Sequence, residues 1–145
     1  MNPSNYLKIK NQIPSNVNIL AVSKGFKSQE ILTIQKLGQS DFGENKFQEA
    51  FEKKLILKDL QQIKWHFIGR IQSNKIRKIV QNFKYIHSVD SFEKLQNISN
   101  ISCEEKKNPL IMLQVKLSDD PTKGGFNPEF LISKWREIRE LKIFH

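Results

Sequence analysis

The sequence predicts an α/β fold of the (β/α)8-barrel type, and two observations carry the prediction. A short apolar run is followed by a stretch with helical spacing of apolar residues, and this unit recurs five times along the 145 residues. Such alternation builds parallel sheets with right-handed crossovers, either in an open doubly wound sheet or in a (β/α)8 barrel. A very short second strand and polar residues at nearly every strand end favour the barrel. With about five of the eight units present, we expect an incomplete barrel.

The order of the elements follows from the apolar runs and the turn residues between them. The predicted strands are Val17–Ser23, Ser40–Gly43, Ile63–Ile68, Tyr85–Val89 and Leu110–Leu117. Helices are predicted over Ser4–Gln12, from Ser28 as N-cap to Gly38, after Asn45, from Ser73, from Asp90 or Ser91, and from Asn127 to about Leu141. A sixth strand is predicted to begin within Lys142–His145.

Two of these helices carry specific predictions about burial. The helix after Asn45 is expected to bury its apolar stripe, which consists of Phe47, Ala50, Phe51 and Leu55. Its charged face is expected to be exposed and carries Glu49, Glu52, Lys53 and Lys54. The last helix is expected to bury Leu131, Trp135 and Ile138.

Composition indicates a single domain over residues 1–145 that does not associate with membranes. Apolar residues make up 38% and charged residues 27%, and no apolar run approaches the ~20 residues of a membrane span. The N-terminal residues lack a basic-then-apolar secretion signal. Cys103 is the single cysteine and cannot form an internal disulfide. Together these features predict a cytoplasmic location.

The net charge of +9 raises the question of a nucleic-acid partner. The basic residues are spread along the chain, and the densest group is Arg70, Lys75, Arg77 and Lys78. A solvated helix face explains this group better than a nucleic-acid surface. A basic nucleic-acid-binding module therefore remains an alternative that rests on charge alone, and no nucleic-acid partner is predicted.

The segment Val17–Lys24 carries the sharpest chemical prediction. Its β-branched apolar run reads as a strand buried on both faces, and the run ends abruptly in Lys24. A lysine at the edge of an apolar layer loses hydration, which favours the neutral amine that condenses with aldehydes. Lys24 is therefore a candidate Schiff-base nucleophile, and the alternative is a lysine that only solvates the strand end.

In either α/β architecture, function gathers at the carboxyl ends of the strands. Five segments deliver polar groups there: Lys24, Gly43–Asn45, Gly69–Arg70, Ser88–Asp90 and the loop Ser118–Gly125. A metal centre is not predicted, because His66, His87, His145 and Cys103 lack ligand spacing. Gly124 and Gly125 alone do not make a phosphate-binding loop.

Five motifs in order identify a family. They are Ala21–Lys24, Phe42–Asn45, Trp65–Gly69, Ile71–Lys75 and the later loop Ser118–Gly125. Taken together, they resemble the pyridoxal phosphate homeostasis protein family, whose fold resembles the barrel domain of bacterial alanine racemase. Each motif alone is weak, whereas the ordered set is highly specific.

The resemblance implies that Lys24 holds pyridoxal 5′-phosphate as a Schiff base. It also implies a cytoplasmic protein that handles this cofactor, without a known turnover reaction, and that serves pyridoxal-phosphate-dependent client enzymes. Asn45, His66 and Asn74 fall in matching motifs and are carried over as residues that line the cofactor pocket. A packed strand histidine is an equally good interpretation of His66.

Lys123 is a second lysine in the glycine-containing loop, and we hypothesise that it receives the aldehyde from Lys24. Transimination needs a second amine close to the first. The plainer interpretation, which the sequence favours, is a solvated loop lysine.

The resemblance departs from the family at the carboxyl end. A complete barrel needs ~250 residues, with ~200 as the lower figure. The family grips the cofactor phosphate with later segments rich in Ser, Gly and Arg, which the printed sequence does not contain. We therefore expect a fragment, a disrupted reading frame or a chain completed by a partner, and weak cofactor binding by this chain alone.

The remaining alternative is an alanine-racemase-like enzyme fragment. Racemisation needs a second acid/base group on the opposite face of the cofactor, normally from another domain. The printed sequence has no room for such a domain, so no enzymatic activity is predicted.

Overall fold

The computed structural model describes residues 1–144, which divide into two compact units at the boundary between His66 and Phe67. The strands are β1 (Ala21–Val22), β2 (Asp41–Glu44), β3 (Lys64–Phe67), β4 (Tyr85–Val89) and β5 (Leu110–Leu113). The helices are α1 (Pro3–Gln12), α2 (Ser28–Gln35), α3 (Phe47–Ile56), α4 (Ile76–Asn82), α5 (Phe92–Glu104), α6 (Pro128–Ser133) and α7 (Trp135–Arg139). The five strands follow chain order in one sheet.

In the first unit, β1 and β2 are parallel, with Ala21 opposite Phe42 and Val22 opposite Gly43. Because side chains alternate along a strand, Ala21 and Phe42 share one face, and both are buried. Helix α2 contributes Ile31 and Ile34, which are also fully buried. These two isoleucines are three residues apart, which is the spacing of one buried face of a helix.

The turn chemistry around α2 is partly confirmed. Gly38 has a φ of +90°, the left-handed conformation expected of a residue that ends a helix. The N-cap is Lys27 rather than Ser28, because the Lys27 amide donates to Glu30 Oε2 at 2.9 Å. The prediction of Ser28 as the cap was therefore wrong by one residue.

The first strand differs most from its prediction. Only Ala21 and Val22 form β1, instead of Val17–Ser23. The side chain of Val17 is 51% exposed and that of Val22 is 40% exposed, so the run is not buried on both faces. A β-branched composition favours extended backbone, but burial depends on which elements cover each face.

Helix α3 lies after Asn45 as predicted, but its buried face is different. Ala50 is buried as expected, whereas Phe51 is 36% exposed and Leu55 is 56% exposed. Lys53, assigned to the outer face, is buried and only 8% exposed. The prediction for these three residues was wrong, because Lys53 has charged and polar partners inside the fold, described below.

In the second unit, β4 and β5 are parallel, with Tyr85 opposite Leu110 and Ile86 opposite Ile111. Helices α4 and α5 bury apolar residues at helical spacing, and these are Ile76, Ile79, Val80, Leu95, Ile98 and Ile101. Ser91 is the N-cap of α5 and accepts a hydrogen bond from the Lys94 amide. The predicted β4 range is confirmed residue for residue.

Four predictions in the second unit needed correction. Ser73 begins a 3-10 turn, Ser73–Lys75, and the N-cap of α4 is Lys75 instead of Ser73. Strand β5 ends at Leu113 instead of Leu117, although Val115 forms an isolated bridge with Phe126. The predicted sixth strand is a 3-10 helix over Lys142–Phe144, and His145 lies outside the described residues.

The fourth correction concerns the last helix. It is interrupted at Lys134, which separates α6 from α7. Asn127 caps it as predicted, since its side chain accepts from the Phe130 amide. Ile138 is buried as predicted, whereas Trp135 is 49% exposed, which contradicts the prediction. Over residues 1–144, we find no helix with the length and apolar character that crossing a bilayer requires.

Candidate functional site

Lys24 lies in a tight turn directly after β1. The Ser23 amide donates to the Gly43 carbonyl at 2.9 Å, and the Phe26 amide donates back to the Ser23 carbonyl at 3.1 Å. Gly25 has a φ of +76°, which allows the chain to turn here. The turn therefore holds Lys24 at the carboxyl end of β1.

The Lys24 side chain is exposed, so the expected loss of hydration is not what distinguishes it. Among residues 1–144, its amine has neither a hydrogen bond nor an ion pair. Accessibility and the lack of a competing carboxylate leave this amine available to a ligand.

A buried polar cluster lies behind the turn and consists of Ser23, Glu44 and Lys53. Glu44 is the last residue of β2 and is fully buried, as is Ser23. The Ser23 hydroxyl donates to Glu44 Oε1 at 2.6 Å, and Lys53 Nζ donates to the same oxygen at 2.7 Å. Lys53 Nζ also donates to the Ser23 carbonyl at 2.9 Å. One ion pair thereby connects β1, β2 and α3.

The cluster was missed by sequence reasoning, although one signal pointed to it. Alternation along β2 puts Glu44 on the same face as the buried Phe42. A carboxylate on a buried face needs a cationic or hydrogen-bonding partner, since an unpaired buried charge is very costly. Lys53 supplies that partner from α3. Glu44 Oε2 is buried and has no hydrogen-bond partner among the described residues.

Asn45 is brought to the same edge of the sheet as Lys24. It follows β2 directly in a bend and is half-buried. Because β1 and β2 are parallel and Val22 is opposite Gly43, the two strands end side by side. The structure thus places Lys24 and Asn45 after neighbouring strand ends, as the sequence predicted.

His66 is directed toward a different part of the first unit. Its Nε2 lies 3.0 Å from Asp41 Oδ1, and Asp41 is the first residue of β2. Lys24, in contrast, follows the last residue of the parallel strand β1. The hydrogen bond with Asp41 therefore engages His66 toward the amino end of β2, not toward the edge that carries Lys24.

Burial lowers the pKa of His66 below its usual value, and the Asp41 carboxylate opposes this effect without overcoming it. For Asp41, burial would raise the pKa, but hydrogen bonds from Ser40 and His66 and the charge of Lys64 together bring the pKa below its usual value. Both effects favour a neutral imidazole beside an ionised carboxylate.

The other two candidates lie in the second unit. Asn74 is exposed within the 3-10 turn after β3. Lys123 is exposed and lines a cavity of about 510 Å³, and the polar side chains that share this lining are Arg70, Ser88, Asp90, Gln114 and Thr122. Asn74 is not among the described residues that line this cavity.

The cavity lies at the carboxyl ends of β4 and β5 and is mostly polar. Asp90 pairs with Lys94 at 2.7 Å, and Gln114 donates to the Gly124 carbonyl at 2.8 Å. The Ser88 hydroxyl donates to the Gly69 carbonyl. Across residues 1–144, no group of three or more His, Cys, Asp or Glu side chains is arranged to hold a metal ion.

Comparison with known proteins identifies the family. The family model "Alanine racemase, N-terminal domain" matches residues 3–144. The pyridoxal phosphate homeostasis protein of Synechocystis sp. is 42% identical over 144 residues, which cover 97% of this chain and 66% of that protein. The protein of the same name from Pseudomonas aeruginosa is 38% identical over 128 residues, which cover 88% of this chain and 55% of that protein. The chain thus spans less than two thirds of the length of these relatives.

Solved structures agree with the sequence comparison. PipY of Synechococcus elongatus with PLP bound has a TM-score of 0.91 and 36% identity, covering 98% of this chain and 66% of that one. Alanine racemase from E. faecalis has a TM-score of 0.76 at 17% identity, and the match covers 99% of this chain and 39% of that one. The two proteins share the fold. The predicted barrel type, present only in part, is confirmed.

The matches over nearly the whole chain and the ordered motifs agree. This chain belongs to the alanine racemase N-terminal-domain family, and within that family it is similar to the pyridoxal phosphate homeostasis proteins.

Proposed function

We propose that this chain binds pyridoxal 5′-phosphate covalently through Lys24 and serves cofactor homeostasis. The observation that carries the proposal is the accessible amine of Lys24 at the carboxyl end of β1, which has no partner within residues 1–144. A second support is that the chain is 36% identical to PipY, whose structure was solved with PLP bound.

The residues around Lys24 fit such a ligand. When bound, the cofactor supplies an aldehyde carbon that condenses with a lysine amine and releases one water. Lys24 presents the amine on an open turn, where a Cβ added to Gly25 would meet none of the described residues within 4 Å apart from its chain neighbours. Asn45, half-buried after the neighbouring strand, offers an amide for hydrogen bonds to the ring substituents.

We propose no turnover reaction for this site. Reactions on an amino acid need an acid/base group positioned at the reacting carbon. His66, the titratable side chain among the pocket candidates of the first unit, is hydrogen-bonded to Asp41 instead. In this proposal His66 packs in its strand and binds Asp41, which is the alternative that the sequence left open beside a place in the pocket.

In the second unit, Asn74 and Lys123 are proposed as pocket residues on the strength of their motifs. The exposed amine of Lys123 lines the 510 Å³ cavity, so it is accessible to an aldehyde. Transfer of the cofactor from Lys24 to Lys123, and from there to client enzymes in the cytoplasm, is the hypothesis that this accessibility supports.

Reduction with borohydride tests the proposal directly. The chain is incubated with pyridoxal phosphate, reduced and digested, and the modified lysine is located by mass spectrometry. We expect the added mass on Lys24 at limiting cofactor. Label spread over surface lysines, with none preferred, would contradict the proposal.

Two further measurements separate the roles. Label on Lys123 only under excess cofactor supports the transfer hypothesis, and its absence there contradicts it. Incubation with cofactor and L-alanine, followed by chiral analysis, should yield no D-alanine. Formation of the D-isomer would replace homeostasis with a racemase function.

A further inference from the structure

We propose that Lys53 is a positioning residue, which holds the turn that carries Lys24 by binding the Ser23 carbonyl. The inference rests on the proposed function, because it assigns Lys53 a role in attachment of an aldehyde at Lys24. Lys53 lies far from Lys24 in sequence and has no expected part in the site.

The backbone of Ser23 is fixed by hydrogen bonds. The Ser23 carbonyl accepts from Lys53 Nζ at 2.9 Å and from the Phe26 amide at 3.1 Å. The Ser23 hydroxyl and amide are both engaged as well, with Glu44 and with the Gly43 carbonyl. Every polar group of the residue before Lys24 is thus held, and the carbonyl that closes the turn is held from two sides.

Burying the charged side chain of Lys53 costs free energy. Its amine is nearly fully buried, and it faces a Glu44 carboxylate that is completely buried. Buried ion pairs often add little net stability compared with apolar residues of similar volume, so stability alone does not explain a lysine here. The bond to the Ser23 carbonyl gives the charge a specific task, since hydrogen bonds to charged groups are the strong ones.

The amines of Lys24 and Lys53 differ in how accessible they are to an aldehyde. Lys53 Nζ donates to a carboxylate and a carbonyl, so its amine is already engaged, and burial blocks access to it. Lys24 is exposed and free of such partners among the described residues. The same cluster therefore directs an incoming aldehyde to Lys24 and fixes the backbone from which Lys24 projects.

The test compares the wild-type chain with the double variant Glu44→Gln/Lys53→Met. Removing both charges avoids an uncompensated buried ion, and glutamine keeps an acceptor for the Ser23 hydroxyl. The control is Lys58→Met, which changes an exposed lysine just after α3. Urea unfolding of each protein sets conditions in which all are folded.

The first readout needs no cofactor. Hydrogen–deuterium exchange is followed on peptides that cover residues 21–26 and, as an internal reference, α5. In the double variant we expect roughly tenfold faster exchange in the turn, with α5 unchanged, as for loss of one hydrogen bond to a charged donor. Equal exchange in both proteins overturns the inference.

The second readout is pyridoxal phosphate affinity and the position of the reduced label. We expect a roughly tenfold or larger rise in Kd for the double variant and no change for Lys58→Met. If the wild-type chain is labelled on Lys24 but the double variant binds pyridoxal phosphate with the same affinity, the role of Lys53 is overturned and the proposed function is not. Failure of the wild-type chain to label Lys24 overturns the proposed function instead.

Discussion

Two lysines of the first unit, Lys24 after β1 and Lys53 on α3, show how the same side chain acquires opposite properties. Lys24 is exposed and without a partner among the described residues, whereas Lys53 is buried and donates to Glu44 and Ser23. In the sequence, the first follows an apolar run and the second sits in a charged stretch. The apolar run suggested burial for Lys24, and the charged stretch suggested exposure for Lys53.

The difference teaches that reactivity and burial of a lysine depend on its partners rather than on its sequence neighbours. A lysine with a buried carboxylate within 2.7 Å becomes a structural cation. A lysine at a strand end without such a carboxylate keeps an available amine. Four predictions test this contrast, beginning with the largest expected effect.

Replacement of Lys24 should abolish covalent attachment of pyridoxal phosphate. In Lys24→Ala, the accessible amine at the end of β1 is gone, and Lys53 remains buried. Intact-mass analysis after borohydride reduction should show no stoichiometric adduct. The matched control is Lys27→Ala, an exposed lysine three residues further on, which should label like the wild type. Stoichiometric labelling of Lys24→Ala would show that the contrast is misplaced.

Replacement of Lys53 should cost stability instead. In Lys53→Met, the buried Glu44 carboxylate loses its cation, and removal of one partner of a buried pair typically costs about 3–5 kcal/mol. Urea unfolding measures the loss, and adding Glu44→Gln should recover part of it. Lys58→Met, at an exposed position, should change the free energy of unfolding by less than about 0.5 kcal/mol. Equal small effects at Lys53 and Lys58 would mean that the ion pair is not buried in solution.

The pH dependence of stability tests a second buried ionisable group, His66. Its pKa is lowered in the folded state, chiefly by burial. The unfolded chain therefore binds the proton more readily than the folded chain. The free energy of unfolding should decline as the pH falls below the usual histidine pKa of about 6.5. In His66→Gln this decline should be smaller, as measured by urea unfolding between pH 5 and pH 8.

The Asp41 carboxylate sharpens that measurement at lower pH. Its pKa is also lowered in the folded state, through hydrogen bonds and charge that outweigh burial. It contributes stability above its unfolded pKa of about 3.9, and this is lost only as pH falls below that value. A decline that begins only near pH 4 in the wild type would assign the effect to Asp41 and not to His66.

The smallest effect is expected on the outer face of α3. Leu55 is 56% exposed, so Leu55→Ala should change the free energy of unfolding by less than about 0.5 kcal/mol. The fully buried Leu95 on α5 gives the matched comparison, and Leu95→Ala should cost about 2–5 kcal/mol. Similar losses at both leucines would restore the burial pattern that the sequence suggested for α3.

Helices α3 and α5 also show how much of the fold is predictable. In α5, the apolar spacing identifies Leu95 and Ile98 as core residues, because no charged group competes for that face. In α3, the same rule fails, since the carboxylate at the end of β2 recruits Lys53 inward. Apolar periodicity describes apolar burial and contains no information about where a buried charge needs its partner.

The candidate site was predictable to a similar degree. Lys24 and Asn45 were placed correctly at neighbouring strand ends, because parallel strands bring their carboxyl ends to one edge. His66 belongs to a matching motif, yet its ring is hydrogen-bonded to Asp41 toward the amino end of β2. Which way a strand residue reaches depends on side-chain partners that a linear motif does not show.

The sequence alone determined the succession of strands and helices, the family, and the lysine proposed for cofactor attachment, because these follow from local periodicity and ordered motifs. Only the tertiary structure decided that β1 is two residues long, that Lys24 is exposed and that Lys53 is buried. The physical reason is that solvation and ion pairing are set by neighbours in space. Glu44 and Lys53 are nine positions apart in the chain but share one hydrogen bond inside the fold.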